Sequence, residues 1–333
     1  MIYCYQNLFG IFLLPWRQKA VCALLAFSGQ RPYFRQEAYS RIFAALMVLL
    51  LLVGPAGALA DTLKLPMDFS GGTVPQRKYE IGLMEYEDPS IKVVRQSERV
   101  PLPDGKETRL YVLRVKIADA SQLRTMSMQG FDKINRVGAI EVMSNRVNAV
   151  VAFGGDYYCG DANRFVLRQG VVYKENMGAN LDLLLIDEDG DFNIILAQDH
   201  PEEMDKTQVN GKKVVNALCF GPALIKDGQK NTNLDSFPTH CDPEEQHERL
   251  AFCQIGPLEY MVVACAHRGL TLPELTDMIL MLEPNVQQAY NLDGGISTQL
   301  LFLGRRINNT SRAPEDNRKL VDIVYFASAY QPD

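Results

Sequence analysis

Two short stretches carry the residues best suited to chemistry. The first is "NLDGGIST", residues 291–298, where Asp293 ends an apolar run and Gly294 and Gly295 follow. Glycines at such a place permit positive φ and let a ligand approach the backbone closely. Ser297 and Thr298 add hydroxyls just beyond. A carboxylate beside an open Gly-Gly turn is suited to gripping a sugar or a phosphate, or to acid–base work. A tight β-turn with Asx hydrogen bonding uses the same residues without any ligand, and both readings stand. The second stretch, "AFGGDYY", is built alike: Gly154 and Gly155, then Asp156, Tyr157 and Tyr158. Two strand-end carboxylates, Asp156 and Asp293, are the usual equipment for hydrolysing a glycosidic bond once the fold brings them together. The tyrosine pair either stacks on a sugar face or fills core. Arg249, His267 and Arg268 stand at strand ends, where Arg is the usual partner of phosphate.

Other chemistries lack their motifs. There is no Gly-x-Ser-x-Gly elbow, P-loop or His-Glu-x-x-His pattern. His200, His240 and His247 show no metal-ligand spacing. "DEDGD" at 187–191 has its Gly at the fourth position rather than the sixth, and Gln198 stands where an EF-hand needs a bidentate Glu. A hairpin turning at Asp189-Gly190 fits it better. No cofactor is therefore expected, and a divalent metal has no motif to support it. Cys4, Cys22, Cys159, Cys219, Cys241, Cys253 and Cys265 include no Cys-x-x-Cys pair; five fall after residue 60, leaving either one or two bridges or buried free thiols.

The elements that must position these residues are mostly strands. "TRLYVLRVKI" alternates Leu110, Val112, Arg114 and Lys116 against Tyr111, Leu113, Val115 and Ile117, the pattern of a long half-buried strand. "ASQLRTMSM" reads as helical or turn-like with Ser121 as a cap. "NAVVAF", "LEYMVVACA", "AYNL" and "LVDIVYFA" read as buried strands. "CFGPALIKDGQ" reads as a strand with Pro222 inside it, which places it at an edge or bulge. The clearest helix opens with Thr271 and Glu274 as a capping box and Pro273 in the first turn, and ends at Glu283-Pro284. Many strands and few helices without a βαβ rhythm predict an α+β fold, a single domain around a mixed, strongly curved β-sheet core.

The 333-residue chain is 47% hydrophobic and divides unevenly in charge. Residues 1–60 hold five basic residues and one acidic residue, leaving the rest at −10. A body that acidic repels phosphate backbones, so no nucleic-acid partner is expected. Arg41 precedes twelve uninterrupted apolar residues, "IFAALMVLLLLV", and then "GPAGALA", the order of a signal peptide with cleavage before Asp61. The 19 uncharged positions 42–60 are also long enough for a retained membrane anchor. The expected organisation is an N-terminal extension with signal or anchor over 1–60, a linker over 61–77 and one domain over 78–330. The protein is expected to be exported, secreted or cell-surface, meeting the membrane only through its N-terminal segment.

Four stretches in order resemble the phosphodiester glycosidase family, the uncovering-enzyme type of domain. "NLDGGIST" is similar to its "NLDGGGST" signature, "AFGGDYY" to "AINGDYF", "FGPALIKDG" to "FGPxLVxDG", and "LTLPEL" to the start of its helix. "QLRT" at 122–125 and a closing "R…DIVYF" from Arg318 add weaker matches. The resemblance covers about residues 80–328 and implies hydrolysis of a sugar-phosphodiester bond at the anomeric carbon. On that likeness Asp293 and Asp156 are the catalytic candidates. Gly155, Gly294 and Gly295 shape the pocket; Tyr157, His267 and Arg268 are substrate-binding candidates from their own positions at strand ends. Asn291, Ser297 and Thr298 supply hydrogen bonds, and Arg249, matching the Arg of "PRTAIG", holds phosphate. The sequence departs from the pattern at Gly154, where the family has Asn. It departs again at Ile296, which narrows the turn where the family has a third Gly, and at "ERLAFC" and "ACAHR". The implied partner is a glycan or phosphosugar, either hydrolysed or, in a degenerate member, bound without turnover.

Overall fold

The computed structural model describes residues 63–332, apart from 103–104, 106, 133–135, 157–163, 176–180, 200–203, 237–241, 266–268 and 309–317. The N-terminal extension, with its expected signal or anchor, lies outside the described residues. So do Tyr157, Tyr158, Cys159, Cys241, His267 and Arg268.

Alternation decides the largest sheet. The expected strand forms over Glu107–Ile117, and its two faces enter different cores. Tyr111, Leu113, Val115 and Ile117 pack into the central apolar cluster, whereas Leu110 and Val112 face the helix Leu272–Leu282. Arg114 closes that second face by pairing with Glu283 at 2.8 Å and donating to the Leu282 carbonyl at 2.7 Å. The helix begins where its cap requires: Thr271 Oγ1 accepts from Glu274 N, and the Glu274 carboxylate accepts from Thr271 N.

The described residues form three sheets. The eight-stranded sheet runs Glu85–Asp88, Ile91–Pro101, Glu107–Ile117, Glu259–Cys265, Leu250–Gly256, Gln288–Leu292, Ala223–Lys226, Gln229–Lys230. A second runs Val171–Lys174, Val166–Arg168, Lys212–Leu218, Leu183–Asp187, Phe192–Ile195, with Gln208–Val209 paired on Lys212–Leu218. The third runs Arg305–Arg306, Leu300–Phe302, Ala149–Gly154, Asp322–Ala327, Leu123–Ser127. Every strand pair among the described residues is antiparallel, which corrects the expectation of a mixed sheet. Antiparallel neighbours need only short connections, so the chain builds them without crossover helices, and two α-helices are present among the described residues. The sheets meet on one apolar cluster in which Phe153, Phe192, Phe252, Tyr260 and Phe326 stack edge-on or tilted.

Three local expectations change. The turn at Ala120–Gln122 is capped by Asp119 rather than Ser121, because the Asp119 carboxylate reaches Ser121 N at 2.9 Å and Gln122 returns the bond. Ser121 Oγ instead accepts from Leu65 N. Pro222 sits just before its strand, after a cis Gly221-Pro222 bond, and the bulge follows between Ala223 and Ile225. The stretch expected to be a linker packs on the body as far as it is described. Leu63 and Leu65 are buried, and the buried Arg124 guanidinium donates to the carbonyls of Pro66, Asp68 and Ser70.

The "DEDGD" hairpin forms as expected, and its acids surround an ammonium. Asp187 Oδ1 accepts from the backbone of Asp189 and Asp191, and Lys212 Nζ lies 3.0 Å from Asp189 and from Asp191. Lys212→Met is expected to lower the thermal midpoint by a few degrees at most, since half-exposed pairs contribute little. Differential scanning fluorimetry checks this, and a loss of about ten degrees or more would mean that the ammonium is an essential partner of these carboxylates.

Candidate active site

Asp293 follows the strand Gln288–Leu292 of the largest sheet, where "DGG" ends the pairing. Asn291 and Leu292 are buried in the strand, and Asp293 is half-buried at its exit. Gly294 packs on the segment that leads into the neighbouring strand Leu250–Gly256, since a Cβ there would lie 2.7 Å from the Glu248 carbonyl. Gly295 adopts φ +57° and donates to that same carbonyl at 2.7 Å. Ile296 falls in a short 3-10 turn, Gly295–Ser297, and is not among the residues of positive φ. Its side chain therefore fits without the strain that a third glycine would relieve.

Asp156 leaves the strand Ala149–Gly154, and Asp322 begins the strand beside it, Ile323 pairing with Gly154. Both are fully buried. Arg168 Nη2 bridges them, 2.7 Å from Asp156 Oδ1 and 3.2 Å from Asp322 Oδ2. Asp156 Oδ2 accepts from Cys219 N at 2.8 Å, and Arg164 Nη1 donates to the Asp156 and Cys219 carbonyls at 2.6 Å each. Gly155 makes this packing possible, because a Cβ there would sit 2.5 Å from Asp322 Cγ and Oδ2.

Charge ties Asp293 to this buried group. Burial raises its pKa, and the nearby Asp156 carboxylate raises it further. The Ser297 hydroxyl, Arg318 and Arg164 act in the opposite direction. Arg318 Nη1 also lies 3.4 Å from Ser297 Oγ. Asp322 is pushed up to about 7 by burial and by Asp156, with Arg168 opposing. The site thus holds three carboxylates and three guanidiniums where the ends of all three sheets come together. Buried polar atoms without hydrogen-bond partners gather in and beside it: Arg164 Nε, Asn291 Oδ1, Thr298 Oγ1 and Asp322 Oδ1. Such atoms call for a functional or solvent explanation.

The raised Asp322 pKa makes stability depend on pH. Between the ordinary carboxylate value of 3.8 and about 7 the folded state holds a proton that the unfolded chain releases. This contribution is therefore full below about 4 and is lost as pH rises toward 7. Denaturation midpoints compared at pH 5 and pH 7.5 should show the parent losing stability on alkalinisation across that window, and Asp322→Asn losing less. Identical pH slopes for the two proteins would contradict the assignment.

Asp156 and Asp293 do come together, as do Gly155, Gly294, Gly295 and Ser297. Asp156, expected as a second reacting carboxylate, has both oxygens committed inside the protein, so its placement suits holding Arg168 and Asp322. Asn291 is buried and donates to the Gly221 carbonyl at 2.7 Å, fixing the turn before Pro222. Thr298 is also buried. Arg249 does not take the phosphate-holding place expected of it. It is 3% exposed, and its Nε and Nη2 donate to the carbonyls of Leu270, Asp242 and Glu245. Arg164 and Arg318 are the cations acting on Asp293. The sequence offers no motif for Arg164 or Arg168, and Asp322 enters only as the acid of "DIVYF". The usable signal was an arginine inside an apolar run, "RFVLRQGVV".

Among the described residues no cluster of His, Cys, Asp and Glu has the arrangement of a metal site. Cys219, Cys253 and Cys265 are buried free thiols, and burial pushes Cys219 and Cys265 up to about 12.

An antiparallel β domain that gathers carboxylates and guanidiniums at its sheet ends defines a class suited to a polar, anionic ligand. The family is shown by sequence. The model described as NAGPA: Phosphodiester glycosidase matches residues 145–327, more than half of the chain, and the chain belongs to that family. The fold is similar to the zebrafish N-acetylglucosamine-1-phosphodiester alpha-N-acetylglucosaminidase (NAGPA) catalytic domain, described as auto-inhibited by pro-peptide. That match has TM-score 0.57 and 15% identity over 80% of this chain and 98% of that one. A hypothetical protein from Synechocystis matches with TM-score 0.51 and 14% identity over 71% of this chain and 62% of that one. By sequence, the SPbeta prophage-derived uncharacterized protein YomE of Bacillus subtilis (strain 168) is 27% identical over 190 residues. The match spans 55% of this chain and 28% of that protein.

Proposed function

We propose that the protein is an exported hydrolase that cleaves the glycosidic bond of a sugar-1-phosphodiester. The observation that carries the reading is the convergence of half-buried Asp293 with Asp156, Asp322, Arg164, Arg168 and Arg318, inside the stretch that matches the family. Asp293 is the carboxylate of the three with exposed surface, so it meets the substrate. In this reading water attacks the anomeric carbon, Asp293 takes up the water proton, and the phosphomonoester leaves with the electron pair of the broken C–O bond. Arg318 and Arg164 hold the phosphate. Gly294 and Gly295 let the sugar approach the backbone. Arg168 and Asp156 position Asp322 and keep the cluster from repelling itself.

A second reading, binding of a phosphosugar without turnover, draws on two observations: Gly154 stands where the family has Asn, and Arg249 is committed to backbone carbonyls. A panel of sugar-1-phosphodiesters varied in sugar and aglycone separates the two. Release of free sugar from at least one member supports the hydrolase. Saturable binding with no release from any member supports the binder and defeats the hydrolase reading.

A further inference from the structure

A cleft of about 790 Å³ opens between the short helix Ile140–Arg146, the hairpin that ends in Arg305–Arg306, and the stretch 74–79. Its size is ordinary for a ligand site. Its walls hold four cations, Arg77, Lys78, Arg305 and Arg306, and one acid, Glu141. Arg306 pairs with Glu141 at 3.0 Å, and the same Nη2 donates to Gln299 at 2.5 Å. Arg77, Lys78 and Arg305 are exposed and have no ion-pair partner among the described residues. Three unmatched cations thus share one concavity on a body of net charge −10. Asn145 and Asn148 add amides to the lining, Asn148 Nδ2 already donating to the Gly72 carbonyl at 2.9 Å, and Ser144 Oγ lies buried behind them without a hydrogen-bond partner. The turn at Leu303-Gly304 keeps the space open. Both residues have positive φ, and a Cβ on Gly304 would lie 2.5 Å from Asn145 Oδ1.

We propose that this cleft is a second binding site, which takes the anionic, phosphate-bearing arm of a glycan. The three free cations hold phosphate oxygens, Arg bidentately. The exposed Asn145 amide bonds sugar hydroxyls. Nucleic acid fits poorly, because the acidic body repels a long polyanion and Tyr79 is the one aromatic ring among the described residues of the lining. The cleft is wired to the candidate active site. Arg306 holds Gln299 Oε1, Gln299 Nε2 donates to the Arg318 carbonyl at 2.8 Å, and Arg318 reaches Ser297, which bonds Asp293. A glycan anchored here therefore bears on the segment that carries Asp293. The proposal rests on the hydrolase reading for the kind of ligand, and its binding claim is independent of turnover.

Calorimetric titration of the full chain with an oligosaccharide that carries a terminal phosphomonoester, and with the same oligosaccharide dephosphorylated, tests this. The phosphorylated form should bind alone, more weakly as salt rises, and about tenfold or more weakly to the Arg77→Glu/Arg305→Glu double variant. Both substituted side chains are exposed, so an unchanged melting curve verifies the fold. Equal binding of the dephosphorylated form overturns the proposal, as does undiminished binding by the double variant. Tighter binding of a single-stranded oligonucleotide of equal charge overturns it in favour of a nucleic-acid site. Repeating the titration with Asp293→Asn separates the two claims. Retained cleft binding without turnover in the parent defeats the hydrolase reading alone, and turnover without cleft binding defeats this proposal alone.

Discussion

Asp293→Asn is expected to lower turnover of a sugar-1-phosphodiester by about 10³-fold, within the range that general acid–base groups contribute. Asn keeps the shape and the bond to Ser297 and removes the charge and the proton transfer. Asp293 is the carboxylate of the cluster that reaches the surface, so no neighbour replaces it. Burial and Asp156 already disfavour its ionised form. The neutral amide should therefore leave the melting temperature unchanged or raise it at neutral pH. Steady-state kinetics with a parallel melt checks both halves. Turnover within tenfold of the parent would remove Asp293 from the chemistry, and a large loss of stability would recast it as structural.

Arg168→Met is expected to destabilise the protein by about 3–5 kcal/mol at neutral pH, the scale for breaking a buried ion pair. Arg168 is completely buried and bridges Asp156 and Asp322, while its Nη1 donates to the Leu167 and Ala217 carbonyls. Without it, two buried carboxylates face each other with their bridging cation gone. The loss should shrink on acidification, because protonating Asp322 relieves the repulsion. Denaturant titrations at pH 7.5 and pH 5 measure it. If the single variant does not fold, Arg168→Met/Asp322→Asn should, since it leaves one carboxylate with its bond from Cys219 N. A neutral-pH loss below about 1 kcal/mol, the range of exposed pairs, would mean that the triad is solvated rather than buried.

The sequence makes local features legible and leaves the assembled ones hidden. The alternation from Leu110 to Ile117 marks a strand because side chains on a pleat point to opposite faces. Thr271 and Glu274 mark a helix start because their bonds close within one turn. Asp156 and Asp293 were visible because each follows a Gly-Gly or precedes one at a strand end. Their partners were not. Arg168 and Asp322 are 154 residues apart and meet only because two sheets converge. Strand direction is likewise a property of topology, and the all-antiparallel pairing has no mark in any single strand. Arg249 shows the limit for single residues. An arginine at a strand start reads the same whether it faces a ligand or staples the loop at Asp242 and Glu245.

Hydrolysis of a sugar-1-phosphodiester in ¹⁸O-labelled water, followed by mass analysis of both products, decides directly which bond breaks. Attack at the anomeric carbon beside Asp293 places the label in the released sugar and leaves the phosphomonoester unlabelled. Label in the phosphomonoester would mean attack at phosphorus, and would contradict the glycosidase assignment for this cluster of carboxylates and arginines.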